Sequence, residues 1–284
     1  MTVTIVTPVY NGMPWLPECV QSVARQRDGV EIEHLVYDGG STDGTTEWLR
    51  EHASLGYEAI IGPDGGQTDA LMKGFSRATG DILAWLNADD LLEPGALRRV
   101  VDVFAADPEL AMVTAACLLI DADGAIIGAI APPPTVTFPE LLRFPTNPAQ
   151  PATFFKADAY REAGGLDPRY DLAMDTDLWL KLARTGRIQI LPTEVLARFR
   201  LHPDAKSVAG SGAAARQDLR IRRGFGLPLR SRACIALIRA GYIRPVTSPW
   251  TRAARRVARR VLLGPQADAS FANDRPRRRG RARN

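Results

Sequence analysis

"ILAWLNADDLL", residues 82–92, is an apolar, strand-like run that finishes in an amide and two carboxylates. Carboxylates at the end of a buried strand are costly to desolvate, so Asp89 and Asp90 need a partner: a helix N-terminus, an arginine or a metal ion. The flanks decide the fold. Upstream, "VTIVT" (3–7), "IEHLVY" (32–37) and "YEAIIG" (57–62) read as three more strands, separated by helical patterns at 15–26, over "TTEWLREH" and at 67–79. Downstream, "PGALRRVVDVFAA" (94–106) reads as a helix with Pro94 near its first turn. Strand and helix alternating at this spacing predict an α/β fold with a mainly parallel twisted sheet and helices on both faces. Ligands of such sheets bind outside the carboxyl ends of the strands, where this chain carries "TPVYNG", "YDGGSTDG" and "NADD". The loop after the first strand lacks G-x-G-x-x-G, which disfavours a dinucleotide fold, and it lacks G-x-x-x-x-G-K-[ST], which excludes a P-loop.

Past residue 106 the pattern is less regular. "AMVTAACLLID" reads as a strand, "DADG" as a hairpin turn into "AIIGAI", and "APPPTVTFP" as a surface loop. Helices are predicted over 157–164 and 176–185, and "IQILP" and "VLARFRL" as two closing strands.

The 284 residues, 45% hydrophobic and 24% charged, suit a soluble globular protein of one large or two smaller domains. Cys19, Cys117 and Cys234 are far apart, which argues against a disulfide framework or zinc site. The chain enters a strand at once, and no apolar run reaches the roughly 18 residues that span a bilayer, so the expected location is cytoplasmic.

Charge is unevenly placed. Residues 211–284 hold 19 Arg, no Lys and 3 Asp, a net of +16, whereas residues 1–210 hold 17 basic and 29 acidic residues, a net of −12. The expected organisation is a domain over 1–210, with halves at about 1–112 and 113–210, and an Arg-rich helical or disordered tail over 211–284. In "TRAARRVARRVLL", Ala254, Val257, Ala258, Val261 and Leu262 share one helical face, and Arg252, Arg255, Arg256, Arg259 and Arg260 the other. That pattern suits an anionic membrane surface, making the protein peripheral at the inner face of the cell membrane. The tail has few aromatics to stack on bases, so no nucleic-acid partner is expected.

The candidate residues each admit two readings. Asp38 is a turn aspartate or a carboxylate that receives a nucleotide base. Asp89 and Asp90 cap the following helix, or Asp89 holds Mg²⁺ or Mn²⁺ with substrate phosphates while Asp90 orients or caps. Asp175 and Asp177 head a helix, one as N-cap and the other as a general base desolvated by Met174, Leu178 and Trp179. Lys73 and Arg77 form a solvated face or meet a phosphate, and His202 is structural or a ligand.

Taken together, "TIVTPVYNG", "HLVYDGGSTDGT", "DALMKGFSRATGDILAWLNADDLLEPGAL", "GGLDPRYDLAMDTDLWLKLA" and "FRLHPDAKS" resemble the family 2 glycosyltransferases, the inverting GT-A class, over about residues 2–207. "DGGSTDGT" and "WLNADD" look closest to enzymes that build bacterial surface polysaccharides and glycolipids. The resemblance implies a Rossmann-like nucleotide-binding half, an acceptor-binding half and a UDP- or GDP-sugar donor with a glycan or lipid-linked acceptor. Thr7, Pro8, Tyr10, Asp38, Asp64, Lys73, Asn87 and Ala88 would then meet the nucleotide sugar. Asp89 and His202 would hold the cation, and Asp175 (second choice Asp177) would be the base. Asn87 stands where the family has the first aspartate of D-x-D, and Met174 where it has a glutamate. A nucleotidyltransferase and a catalytically inactive sugar-nucleotide-binding protein are the rival readings.

Overall fold

The computed structural model describes residues 1–143, 147–203, 205–206 and 211–228. The expected helices and disordered end beyond residue 228, including the basic amphipathic segment, lie outside the described residues.

The first half follows the alternation read from the sequence. Strands β1 (Thr2–Val9), β2 (Glu31–Asp38), β3 (Glu58–Ile61) and β4 (Ile82–Trp85) are parallel, in the order β3-β2-β1-β4. Helices α1 (Leu16–Ala24), α2 (Thr45–Glu51) and α3 (Gln67–Arg77) make the crossovers. Every residue of β1 after Thr2 is buried, as expected for a strand covered on both faces. Helix α3 lies close on β1 because position 74 is glycine: a Cβ there would sit 2.5 Å from Cγ1 of Val6.

The second half turns the sheet mixed. After the short β5 (Leu91–Leu92) and α4 (Ala96–Ala106), β6 (Leu110–Ile120) pairs with β7 (Ile126–Ile130) as an antiparallel hairpin. Its turn is the "DADG" segment, where Asp121 Oδ1 accepts from the amides of Asp123 and Ala125, and Gly124 takes φ +86°. Strand β8 (Thr153–Lys156) inserts antiparallel between β4 and β6. The two expected closing strands are one, β9 (Arg187–Arg200), parallel to β6 and antiparallel to β5. Its register slips where Leu191 and Val195 face the consecutive residues Ala115 and Ala116, and Pro192, which has no N–H to give a ladder, stands in the excess. Helices α6 (Ala157–Glu162) and α7 (Met174–Thr185) match the expected helices, and α5 (Phe138–Arg143) was not foreseen in the proline-rich stretch. Thr137 and Glu140 start α5, the Thr137 hydroxyl donating to the Glu140 carboxylate at 2.6 Å.

Apolar side chains fill both faces of the sheet. One cluster joins Val3, Ile5, Leu97, Val100 and Phe104 under α1 and α4. The other joins Leu71, Phe75, Trp85, Phe155, Leu178 and Trp179 under α3, α6 and α7, with Trp85 and Trp179 stacked at 5.6 Å. Helix α8 (Ser211–Gly224) begins past the charge boundary near residue 210, yet it packs on α7 and sends Ile221 into this second cluster. Among the described residues no helix is long and apolar enough to cross a membrane.

Candidate active site

A cavity of about 1020 Å³ opens over the carboxyl ends of β1, β2 and β4. One wall is Pro8, Tyr10, Gly39 and Asp64; the floor is Trp85, Asn87, Ala88 and Asp89; the far wall is Asp171, Met174, Asp175, His202 and Lys206. Parallel strands point their ends here, so segments distant in sequence converge.

The turn that opens the sequence reading is held from below. Asp90 is fully buried, its Oδ1 accepting the Arg200 amide at 3.0 Å and its Oδ2 the Asn87 side-chain amide at 3.2 Å. Burial, then the neighbouring Asp89 carboxylate, push its pKa well above the usual range. It caps no helix: the N-cap position of α4 is Gly95, with no side-chain cap. The buried Arg200 guanidinium donates to the Asp89 carbonyl at 3.0 Å, to the carbonyls of Asp121 and Ala122, and to Glu18 at 2.6 Å. The Asn87 amide is fully engaged, accepting from Gln67 at 2.7 Å and also donating to Gln150 at 3.2 Å.

Asp89 itself turns to the cavity, where its Oδ2 lies 3.0 Å from His202 Nε2, and the His202 ring lies against Trp15 with centroids 4.0 Å apart. His202 Nδ1 is buried and has no hydrogen-bond partner among the described residues. A carboxylate oxygen and an imidazole nitrogen are donors that Mn²⁺, and less readily Mg²⁺, accepts. Among the described residues no group of three or more His, Cys, Asp or Glu could hold a metal. The donor set therefore fits a cation shared with a ligand's phosphates, and does not fit one caged by protein alone.

Helix α7 carries both candidate bases. Its N-cap is Ala173, so neither aspartate caps it, contrary to expectation. Asp175 lines the cavity, accepting its neighbour's amide, Thr176 N, at 2.7 Å. A helix N-terminus favours a carboxylate, but burial outweighs that here and pushes the Asp175 pKa up to about 6. Asp177 is buried off the cavity and paired with Lys181 at 2.6 Å.

Besides Asp177, three candidates are not in the cavity lining. Thr7 is fully buried and bonds His34 Nε2 at 2.9 Å. Asp38 is 1% exposed, and both its oxygens are taken, by the Ser41 amide and hydroxyl and by the Thr46 hydroxyl, so the turn reading describes its contacts. Lys73 sits half exposed in an ion pair with Asp69 at 2.7 Å. Among the described residues the Lys or Arg side chain that lines the cavity is Lys206, four residues after His202, with a pKa lowered by desolvation. Sequence reasoning passed over it, although it stands in "FRLHPDAKS"; Arg200, Gln67 and Gln150 gave no signal, because their roles exist only once β9, α3 and the turn before β8 meet.

Comparison with known proteins bears on the domain and the fold. Residues 4–124 match the model of glycosyl transferase family 2. The chain is 29% identical over 215 residues to a hyaluronan synthase of Pasteurella multocida, covering 74% of this chain and 21% of that protein. It is 25% identical over 235 residues to an uncharacterized glycosyltransferase of Nostoc sp., covering 79% and 72%. The chain thus spans about a fifth of the Pasteurella synthase. Among solved structures, Staphylococcus aureus TarS 1–349 in complex with UDP-GlcNAc has a TM-score of 0.61 at 15% identity, covering 82% of this chain and 68% of that one. The Pyrobaculum calidifontis mannosyltransferase PcManGT, in complex with GDP-Man and Mn²⁺, has a TM-score of 0.59 at 22% identity, covering 84% and 69%. Both share the GT-A fold seen here. Residues 4–124 thus match glycosyl transferase family 2, and the chain has the fold of GT-A glycosyltransferases.

Proposed function

We propose that the protein transfers a sugar from a nucleoside-diphosphate sugar to an acceptor hydroxyl with inversion at the anomeric carbon. The observation that carries this reading is that Asp89 and Asp175, on opposite halves of the fold, line one cavity. The complexes of TarS with UDP-GlcNAc and of PcManGT with GDP-Man and Mn²⁺ support a UDP- or GDP-sugar donor.

In this reading Pro8, Tyr10 and Asp64 flank the nucleoside. Asp175, a carboxylate at neutral pH and more basic than an ordinary aspartate, takes the proton of the acceptor hydroxyl. The hydroxyl oxygen bonds to the anomeric carbon as the bond to the diphosphate breaks on the opposite side, which inverts the configuration. Lys206 offsets the charge that develops on the leaving diphosphate. Asp89 and His202 would hold Mn²⁺ or Mg²⁺, which supplies further neutralisation of the diphosphate.

Relatives named as hyaluronan and chondroitin synthases and an O-antigen biosynthesis protein support a place in cell-surface polysaccharide or glycolipid synthesis. The Arg-rich tail would hold the enzyme at an anionic membrane. Replacing Arg252, Arg255, Arg256, Arg259 and Arg260 by Gln in the full chain should abolish co-sedimentation with phosphatidylglycerol vesicles; unchanged sedimentation refutes the membrane role.

The decisive test is a panel of UDP- and GDP-sugars with Mn²⁺, reading release of nucleoside diphosphate. Pyrophosphate release instead would indicate a nucleotidyltransferase, and tight binding without turnover an inactive binding protein.

A further inference from the structure

Helix α8 reaches back to the head of the helix that carries Asp175. Gln217 Oε1 accepts the amides of Leu172 and Ala173 at 3.0 and 3.2 Å, and its Nε2 donates to Asp171 at 2.6 Å. It thereby supplies from outside the polar partner that the uncapped start of α7 lacks. One turn on, the fully buried Arg222 donates through Nε to Asp218 at 2.7 Å and through a terminal nitrogen to Asn147 Oδ1 at 2.8 Å. Asn147 in turn donates to the Thr176 hydroxyl at 2.6 Å, and Thr176 N donates to Asp175. A buried acid and guanidinium in this place are costly to desolvate, and apolar residues would pack α8 on α7 at less cost. Stability alone gives no reason for the pair.

We propose that Gln217, Asp218 and Arg222 form a clamp that fixes the first turn of α7 and holds the Asp175 carboxylate towards the cavity. They are positioning residues, and the inference rests on Asp175 being the base. The charged groups that face Asp175 are Asp218 and Arg222 from α8 and, around the cavity, Asp64, Asp89, Asp171, His202 and Lys206. Asp177 on its own helix is held by Lys181.

The test uses the full chain with Gln217→Met, which keeps the volume and removes all three hydrogen bonds, and the double variant Asp218→Asn/Arg222→Gln, which removes both charges of the ion pair together. Amide hydrogen exchange should rise at least about tenfold at residues 172–176 and stay at parent levels in β1, β2 and β4. With UDP-GlcNAc or GDP-mannose and Mn²⁺, kcat for nucleoside diphosphate release should fall about tenfold while donor KM changes less than about twofold. In the double variant the acidic limb of the kcat profile should also move. Parent-like exchange at 172–176 overturns the clamp whatever the activity. So does a loss shared equally by kcat, KM and exchange throughout the sheet, which marks general destabilisation. If Asp175→Asn turns over as fast as the parent, the base reading fails instead, and the exchange result shows that separately.

Discussion

Arg200 Nε donates to the main-chain carbonyl of Asp89 at 3.0 Å, from a side chain that is 1% exposed. The same guanidinium holds the carbonyls of Asp121 and Ala122 and the carboxylate of Glu18, so α1, the Asn87–Asp90 turn, the β6–β7 hairpin and β9 meet on one group. The direction in which Asp89 faces is thus set from behind.

Arg200→Met would leave three carbonyls without this donor while Glu18, largely exposed, regains water. A buried acceptor left unpaired costs about 1–3 kcal/mol, less where water enters, so a loss of about 2–4 kcal/mol is expected in urea unfolding. Arg200→Lys should fall between, because an ammonium cannot span the same fork. A parent-like midpoint for Arg200→Met would show that the Arg200 side-chain bonds add nothing to stability.

The cation reading predicts a split between Asp89 and His202. Asp89→Asn removes the only anionic donor of the pair and should lower turnover by about 10²–10³-fold. With UDP present, Mn²⁺ should raise the melting temperature of the parent and leave that of Asp89→Asn unchanged. His202→Gln keeps a polar contact with Asp89 and should lower Mn²⁺ affinity by about tenfold. Equal Mn²⁺ responses in the parent and both variants would remove Asp89 and His202 from the metal site.

Much of this was legible in the chain. The β1–β4 alternation and the polar segments at the strand ends follow from periodicity, which is local. Asp89 and the pair Asp175 and Asp177 could be singled out because a carboxylate next to an apolar run is conspicuous, and the family resemblance then favoured Asp175 over Asp177. Asp38 and Thr7 could not be placed, since whether a strand-end side chain turns to the cavity or to its own loop depends on one or two dihedrals. Lys73 looked suitable by charge, but Asp69, one helical turn before it, holds it on the outer face of α3. Nothing local in the sequence marks Arg200 or Arg222 as buried, and only tertiary packing buries them.

Gly39 gives a test of the nucleotide wall. It does not have a positive φ, so alanine fits its backbone, but a Cβ would stand 3.2 and 3.3 Å from the two carboxylate oxygens of Asp64. Asp64 would have to shift, and with it the bond from Gly66 N to its Oδ1. Losing about 1 kcal/mol of contact at that wall should raise donor KM roughly fivefold with kcat within about twofold. An unchanged KM would show that the nucleotide does not pass Asp64.

Asp175 should trade stability for activity. Its folded pKa, pushed up to about 6 chiefly by burial, lies above the ordinary aspartate value near 3.9 expected of the unfolded chain. The sign follows: the folded state binds the proton more tightly, so the carboxylate destabilises the fold as pH rises from about 4 to about 6, and the whole penalty is present above that window. Two pKa units correspond to about 3 kcal/mol, and partial exposure reduces this to about 1–2 kcal/mol. Asp175→Asn should therefore be more stable than the parent by that amount at pH 8 and no more stable at pH 4, measured by urea unfolding at both values. Its turnover should fall by about 10²–10⁴-fold, and parent kcat should drop about tenfold for each pH unit below 6, where the base is protonated. A variant equally stable at pH 8 but inactive would place the proton acceptor at Asp175 without the burial penalty, and one that is stabilised yet fully active would move the base elsewhere in the cavity.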